Sequence, residues 1–303
     1  PSISYSGATG TAGSYGVAMS VTPTTLTANG AAITNCTASP ALPGWASIDS
    51  TTCVISGTPT AALSSTTYTV TATNTAGTST ATVSLSVAAL VPSISYSGAT
   101  GTAGSYGVAM SVTPTTLTAN GAAITNCTAS PALPAWASIN SSTCVISGTP
   151  NATLTSTTYT VTATNSIGSS TATVSLSVAA LVPSISYSGA TGTAGSYGVA
   201  MSVTPTTLTA NGAAITNCTA SPALPAWASI DSTTCVISGT PNASLSSTTY
   251  TVTATNSAGT STATVALSVA ALVPSISYSG ATGTAGSYGV AMSVTPTTLT
   301  ANG

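Results

Sequence analysis

The sequence predicts an all-β protein made of tandem β-sandwiches. Three observations lead there. The segment Pro-Ser-Ile-Ser-Tyr-Ser-Gly begins at Pro1, Pro92, Pro183 and Pro274, so the chain repeats with a period of 91 residues, and the three full copies differ at only 10 aligned positions. Within each copy, apolar and hydroxyl residues alternate over short runs, which is the period of a half-buried strand. No run carries a helical period with caps. The period divides the chain into repeats 1–91, 92–182 and 183–273 and an incomplete start of a fourth, 274–303.

The elements of one repeat follow in order. Ile3 and Tyr5 mark a short first strand, and Val17, Met19 and Val21 form an alternating run. Asn29-Gly30 separates Thr24–Ala28 from Ala31–Thr34, and Asn-Gly between such runs predicts a hairpin. Pro40, Pro43 and Pro59 stand where strands must stop or begin. Tyr68, Val70 and Ala72 alternate with Thr67, Thr69, Thr71 and Thr73. Ala81, Val83, Leu85 and Val87 alternate with Thr82, Ser84 and Ser86. The turn sequence Asn74-Thr75-Ala76-Gly77 joins these two into a second hairpin. About seven short strands with turns at short intervals make a sandwich. The linker Val87-Ala88-Ala89-Leu90-Val91-Pro92 is apolar and lacks Gly and Ser, so it should run as extended chain and pack between neighbours, giving an elongated, stiff rod.

Composition excludes whole classes of function. The 303 residues hold no Lys, Arg or His, and the only acidic residues are Asp49 and Asp231. Without a basic residue no phosphate backbone is neutralised, which argues against nucleic-acid binding and against a basic membrane-surface patch. No apolar stretch is long enough to insert in a membrane. One carboxylate per repeat, replaced by Asn140 in the second, cannot build a calcium site. Serines abound, but no His or Lys can activate them, and Asp49 and Asp231 lie two periods apart, so the expectation is no catalytic site, no cofactor and no metal. The chain opens on a repeat boundary without a signal peptide and reads as a section of something longer.

Six cysteines fall two per repeat at a fixed spacing: Cys36 and Cys53, Cys127 and Cys144, Cys218 and Cys235. They could be buried free thiols. An intradomain disulfide would supply a small core with about 3 kcal/mol and place the chain in an oxidising compartment. Trp45, Trp136 and Trp227 could stack on sugars or plug each core beside the cysteines. The exposed row Thr69, Thr71, Thr73 could order ice, carry O-linked glycans, or be a solvated strand face in a chain without charges. Asn35, Asn140, Asn151 and Asn242 open N-glycosylation sequons, which arise readily by chance in a Ser/Thr-rich chain.

A resemblance enters through three motifs: Leu42-Pro43-Gly44-Trp45-Ala46-Ser47-Ile48-Asp49, Val54-Ile55-Ser56-Gly57-Thr58-Pro59 and Thr67-Tyr68-Thr69-Val70-Thr71-Ala72-Thr73-Asn74. Together they resemble the bacterial putative-Ig and dystroglycan-type cadherin-like repeats, and they recur over Leu133–Asn165 and Leu224–Asn256. The resemblance implies an Ig-like sandwich of an extracellular, cell-surface protein and no single activity. The sequence departs from that pattern by placing Cys53 where the family has Gly, and it lacks the acidic residues of calcium-binding relatives. The expected function is therefore structural: the stalk or shaft of an extracellular bacterial surface fibre or filament that self-associates. The alternatives are adhesion, with repeats that bind a glycan or cell-surface ligand, and a spacer in a giant secreted protein. An uncharged β surface lacks the charged residues that keep edge strands apart.

Overall fold

A computed structural model provides the structure, and residues 1–300 are described. The chain falls into two compact units. The first holds Pro1–Gly104, Ala109–Thr149 and Ser156–Ser177. The second holds Ser105–Val108, Pro150–Thr155 and the chain from Val178 onward. The first unit thus contains all of repeat 1, and the second contains all of repeat 3.

Repeat 1 folds into nine strands, and no helix occurs among the described residues. They are β1 Ser2–Ser4, β2 Ala12–Ser14, β3 Met19–Val21, β4 Thr25–Thr27, β5 Ile33–Ser39, β6 Ala46–Ile48, β7 Ile55–Gly57, β8 Leu63–Asn74 and β9 Gly77–Ala88. A four-stranded sheet in the order β2-β9-β8-β5 faces a three-stranded sheet, β3-β7-β6, and β1 pairs with β4 alone. The core lies between them and consists chiefly of Ile3, Tyr5, Met19, Val21, Ile55, Tyr68, Val70, Ala72, Val83, Leu85, Val87 and the two cysteines. Repeat 3 builds the same nine strands, from Ser184–Ser186 to Gly259–Ala270, and repeat 2 does so from Ser93–Ser95 to Ser169–Ala179.

The β8–β9 hairpin is the backbone of each repeat. Tyr68, Val70 and Ala72 are buried while Thr69 is exposed, and Val83, Leu85 and Val87 do the same on β9. Asn74 pairs with Gly77 across a two-residue loop, and hydroxyl residues meet across the outer face, Thr69 opposite Thr82 and Thr71 opposite Thr80. Threonine suits this place because its branched carbon fits the pleat while its hydroxyl meets water. The motif glycine Gly57 is a steric necessity. β6 crosses so close that a Cβ there would sit 2.0 Å from the Trp45 carbonyl oxygen.

Four expectations need correction. The Asn29-Gly30 turn does not close a hairpin: β4 pairs with β1 and β5 with β8, so the turn carries the chain from one sheet to another. Val17 lies outside β3 and is exposed. The strands number nine rather than about seven, because several are only three residues long. Trp45 is half-buried against the margin of the core rather than within it, and the buried aromatics are Tyr5 and Tyr68.

The fourth start pairs Ser275–Ser277 with Thr298–Thr300. Tyr278 and Met292 are exposed there, although their counterparts Tyr5 and Met19 are buried, because no β7 or β9 covers them. The Asn302-Gly303 turn lies outside the described residues.

Candidate functional site: the joint between repeats

The most specific constellation surrounds the Asn-Gly turn. Asn120 and Gly121 both adopt left-handed backbone, φ 51° and 91°, which Asn and Gly tolerate best. The turn presents the Asn120 carbonyl and carboxamide to the linker. Asn165, at the end of the long strand Leu154–Thr164, braces the turn from below. It is 4% exposed. Its Nδ2 donates to the Ala119 and Ala122 carbonyls at 3.0 and 3.4 Å, and its Oδ1 accepts from the Ile167 N–H at 2.9 Å.

These two asparagines grip the linker from repeat 1. The Leu90 N–H donates to the Asn120 carbonyl at 2.9 Å. The Leu90 carbonyl accepts from Asn165 Nδ2 at 2.8 Å, and the Val91 carbonyl accepts from Asn120 Nδ2 at 2.8 Å, which also reaches the Ser93 hydroxyl at 3.1 Å. Steric fit completes the joint. A Cβ on Gly121 would lie 3.1 Å from the Tyr15 ring and 3.4 Å from Ala89 Cα of the preceding repeat. Only a residue without a side chain lets the two repeats approach so closely. Pro92 is buried.

The joint between repeats 2 and 3, within the second unit, is built alike. The Leu181 N–H donates to the Asn211 carbonyl at 3.0 Å. The Leu181 carbonyl accepts from Asn256 Nδ2 at 2.9 Å, and the Val182 carbonyl accepts from Asn211 Nδ2 at 2.8 Å. Gly212 faces the Tyr106 ring. The linker was expected to pack its apolar side chains, yet Leu90 and Val91 stay 41% and 43% exposed. Backbone hydrogen bonds to asparagine, more than side-chain burial, hold it.

The remaining candidate residues serve the repeats themselves. Disulfides join Cys36 to Cys53, Cys127 to Cys144 and Cys218 to Cys235, each across 17 residues. Cys53 has φ 52°, and Cys144 and Cys235 have 53°, which explains why glycine stands there in the resembling pattern. The Tyr5 hydroxyl donates to the Cys53 carbonyl, tying the first segment to this loop, and Tyr96 and Tyr187 repeat the contact. Burial pushes these three phenols up to about 12.

Asp49 closes the same loop. Its Oδ1 accepts from the N–H groups of Thr52 and Thr51 at 2.8 and 2.9 Å. Those bonds hold its carboxyl well below the usual carboxylate range. Asn140 accepts the equivalent bonds with a neutral carbonyl. An oxygen acceptor is the common requirement, so the acidic residue has a local structural role in the turn. Asn35, Asn140, Asn151 and Asn242 are exposed.

A shallow groove of about 390 Å³ lies between the outer strands β5 and β6, lined by Cys36, Ala38, Leu42 and Ile48 among others. It recurs in the other repeats. Among the described residues no group of three His, Cys, Asp or Glu side chains could hold a metal ion. Among the described residues no helix is long and apolar enough to cross a membrane.

The chain is similar to several solved structures at low sequence identity. Extracellular domains 3–5 of Drosophila OTK are 15% identical, with 86% of this chain and 93% of that one covered and a TM-score of 0.35. The A168-A170 domains of titin are 15% identical, with 87% and 95% covered and a TM-score of 0.39. The N-terminal four Ig domains of Dscam1 are 10% identical, with 89% and 72% covered and a TM-score of 0.33. No curated protein matches the chain. The model of one family, described as Putative Ig domain, matches three times, at residues 1–88, 91–179 and 182–270. Those matches span most of the sequence, and the chain belongs to the Putative Ig domain family as a tandem array of Ig-like sandwiches.

Proposed function

We propose that this chain is the shaft region of an extracellular bacterial surface fibre, a run of interchangeable load-bearing modules that self-associates. The joint carries the reading. A chain built only to string domains together needs no more than a loose linker, yet each linker here makes three hydrogen bonds with two asparagines, and the turn asparagine makes a fourth to the serine that follows the linker. The disulfide in every repeat fits an oxidising, extracellular setting. Self-association draws on exposed, uncharged outer strands such as β5 and β6.

The strand order suits tension. β2 pairs in parallel with β9, Ala12 opposite Ser86 and Ser14 opposite Ala88. The Ser86 N–H donates to the Thr11 carbonyl at 3.0 Å, and the Tyr15 N–H donates to the Ala88 carbonyl at 2.9 Å. The linker follows β9 directly. A pull on the linker drags β9 along its own axis past β2, so these bonds are loaded together rather than one at a time.

Single-molecule pulling of the whole chain tests the proposal. Three force peaks of similar height should appear. Each should release roughly 300–330 Å of chain under reducing conditions, and roughly 55–60 Å less with the disulfide intact. Extension without resolved peaks would refute a load-bearing role.

A further inference from the structure

We propose that the groove between β5 and β6 is a port for small outside thiols, and that it directs exchange of each repeat's disulfide to one sulfur. Cys36, Cys127 or Cys218 is attacked, and Cys53, Cys144 or Cys235 leaves. The step needs only a thiol of low molecular mass. Its thiolate attacks Cys36 Sγ and a new S–S bond forms. The Cys36–Cys53 bond breaks, and its electron pair goes to Cys53 Sγ, which takes up a proton. The product is a mixed disulfide at Cys36 and a free thiol at Cys53. The rate of such exchange depends on which sulfur is attacked and on access to it, and access is where the two halves of the bridge differ.

Cys36 sits in β5, the last strand of the four-stranded sheet, which pairs with β8 alone. Cys36 and Ala38 share the inner face of β5, while Thr37 between them is exposed. β6 is the last strand of the opposite sheet, so the groove of about 390 Å³ lies where the two sheets part. Cys36 lines it with Leu42 and Ile48, and Cys127 and Cys218 line the equivalent grooves of the other repeats. The partner cysteine lines none of these three grooves. Cys53 leads into β7, the middle strand of its sheet, and is 0% exposed, against 4% for Cys36.

The leaving half is also pinned. The Cys53 N–H donates to the Asp49 carbonyl at 3.0 Å, and the Cys53 carbonyl accepts from the Tyr5 hydroxyl. The Cys144 and Cys235 N–H groups donate likewise to the Asn140 and Asp231 carbonyls at 2.9 and 3.0 Å, and Tyr96 and Tyr187 hold their carbonyls. The loop that carries the leaving sulfur therefore stays in place when the bridge opens. Burial disfavours the thiolate of the freed Cys53, which slows reclosure. A second outside thiol then attacks the outer sulfur of the mixed disulfide, and Cys36 departs as a thiolate into the groove. Exchange by this route opens the bridge without unfolding the sandwich.

The test exposes the folded full chain to cysteamine, a small thiol, and quenches with acid. Pepsin cleavage at low pH and mass spectrometry locate the adduct, because Leu42 and Trp45 lie between the two cysteines of repeat 1 and their counterparts lie between those of the other repeats. Adduct on Cys36, Cys127 and Cys218 should exceed adduct on their partners by at least about tenfold, because a fully enclosed sulfur reacts only when the structure opens locally. Two variants of the full chain give a second reading. One carries Cys53→Ala, Cys144→Ala and Cys235→Ala, and the other carries Cys36→Ala, Cys127→Ala and Cys218→Ala. Each is treated with cystamine, the matching small disulfide, both folded and in denaturant. In denaturant the two should react alike. Folded, the first variant should react at least about tenfold faster than the second, for the same reason. Adduct shared equally between the two cysteines, adduct chiefly on Cys53, Cys144 and Cys235, or no exchange in the folded chain would overturn the proposal. So would folded variants that react at equal rates.

Discussion

Removing the disulfides should destabilise every repeat by about 3 kcal/mol. The magnitude follows from the loop. Cys36 and Cys53 are 17 residues apart, and closing a loop of that size lowers the entropy of the unfolded chain by that amount in the chain-entropy model. A domain of this length has a total stability of about 5–14 kcal/mol, so the loss is a large share of it. At about 4–8 °C per kcal/mol, the melting temperature should fall by roughly 12–24 °C. The variant replaces all six cysteines, with Val at 36, 127 and 218 and Ala at 53, 144 and 235. Thermal unfolding by circular dichroism, at equal protein concentration, gives the comparison. A second chain with Gly at 53, 144 and 235 separates the bond from the backbone. An Ala→Gly change at a buried strand position costs about 0.5–1 kcal/mol in chain entropy and a similar amount in lost burial. At position 53 the left-handed φ of 52° returns about 1–2 kcal/mol. The Gly and Ala chains should therefore melt within a few degrees of each other, whereas Ala72→Gly, at a buried position in β8, should cost its full amount. A fall below about 5 °C on removing the disulfides would refute the loop argument. A Gly chain clearly weaker than the Ala chain would refute the strain argument.

Other expectations concern the buried phenols, the joint and the charge. Tyr5→Phe deprives the buried Cys53 carbonyl of its donor and should cost about 1–3 kcal/mol, read as a lower midpoint in urea. The phenols of Tyr5, Tyr96 and Tyr187 are raised to about 12 from an ordinary value of 10. The native state therefore keeps protons that the unfolded state loses. Their contribution is complete below pH 10 and declines as pH rises towards 12; melting temperatures that hold steady across that window would contradict it. Asn165→Ala removes the donor to the Leu90 carbonyl. Chymotrypsin should then cut after Leu90 faster than after Leu181 in the same chain, and equal rates would count against the clamp. With no basic side chain and two carboxylates, the melting temperature should barely move with moderate salt or between pH 5 and 9, and a strong salt shift would reveal charge from modification.

Some of this was legible in the sequence for plain reasons. The β8–β9 hairpin was readable because its alternation is long and its turn residues sit at the ends of both runs. The pairing partners of the short strands were not. Asn29-Gly30 does form a turn of positive φ, but a local signal fixes the turn and not the neighbour. β4 goes to β1 because Leu26 and Ile3 face the same core from opposite strands. The cysteine pairing lies in the spacing, whereas the backbone demand at Cys53 shows only as an oddity, a side chain where the family pattern has glycine. Trp45 reads as a core residue by size, but it packs half-buried against the margin of the core, just before β6. The joint was the least visible feature. Its parts come from Tyr15, the linker at 89–91, the turn at 120–121 and Asn165, four places whose local roles are all ordinary. Asn165 looked like one end of a hairpin loop, and only the fold sets its carboxamide against the carbonyl of Leu90.

The most direct test of the pinned joint is the mobility of the linker in solution. Backbone order parameters from nitrogen-15 relaxation on the full chain would report it at Ala89, Leu90 and Val91 and at their counterparts Ala180, Leu181 and Val182. Identical sequence around both linkers makes their signals coincide, which does no harm because both should behave alike. A clamped linker should give values near those of the β8–β9 hairpin, about 0.8 or above, whereas values below about 0.6 would describe a free tether and contradict the account.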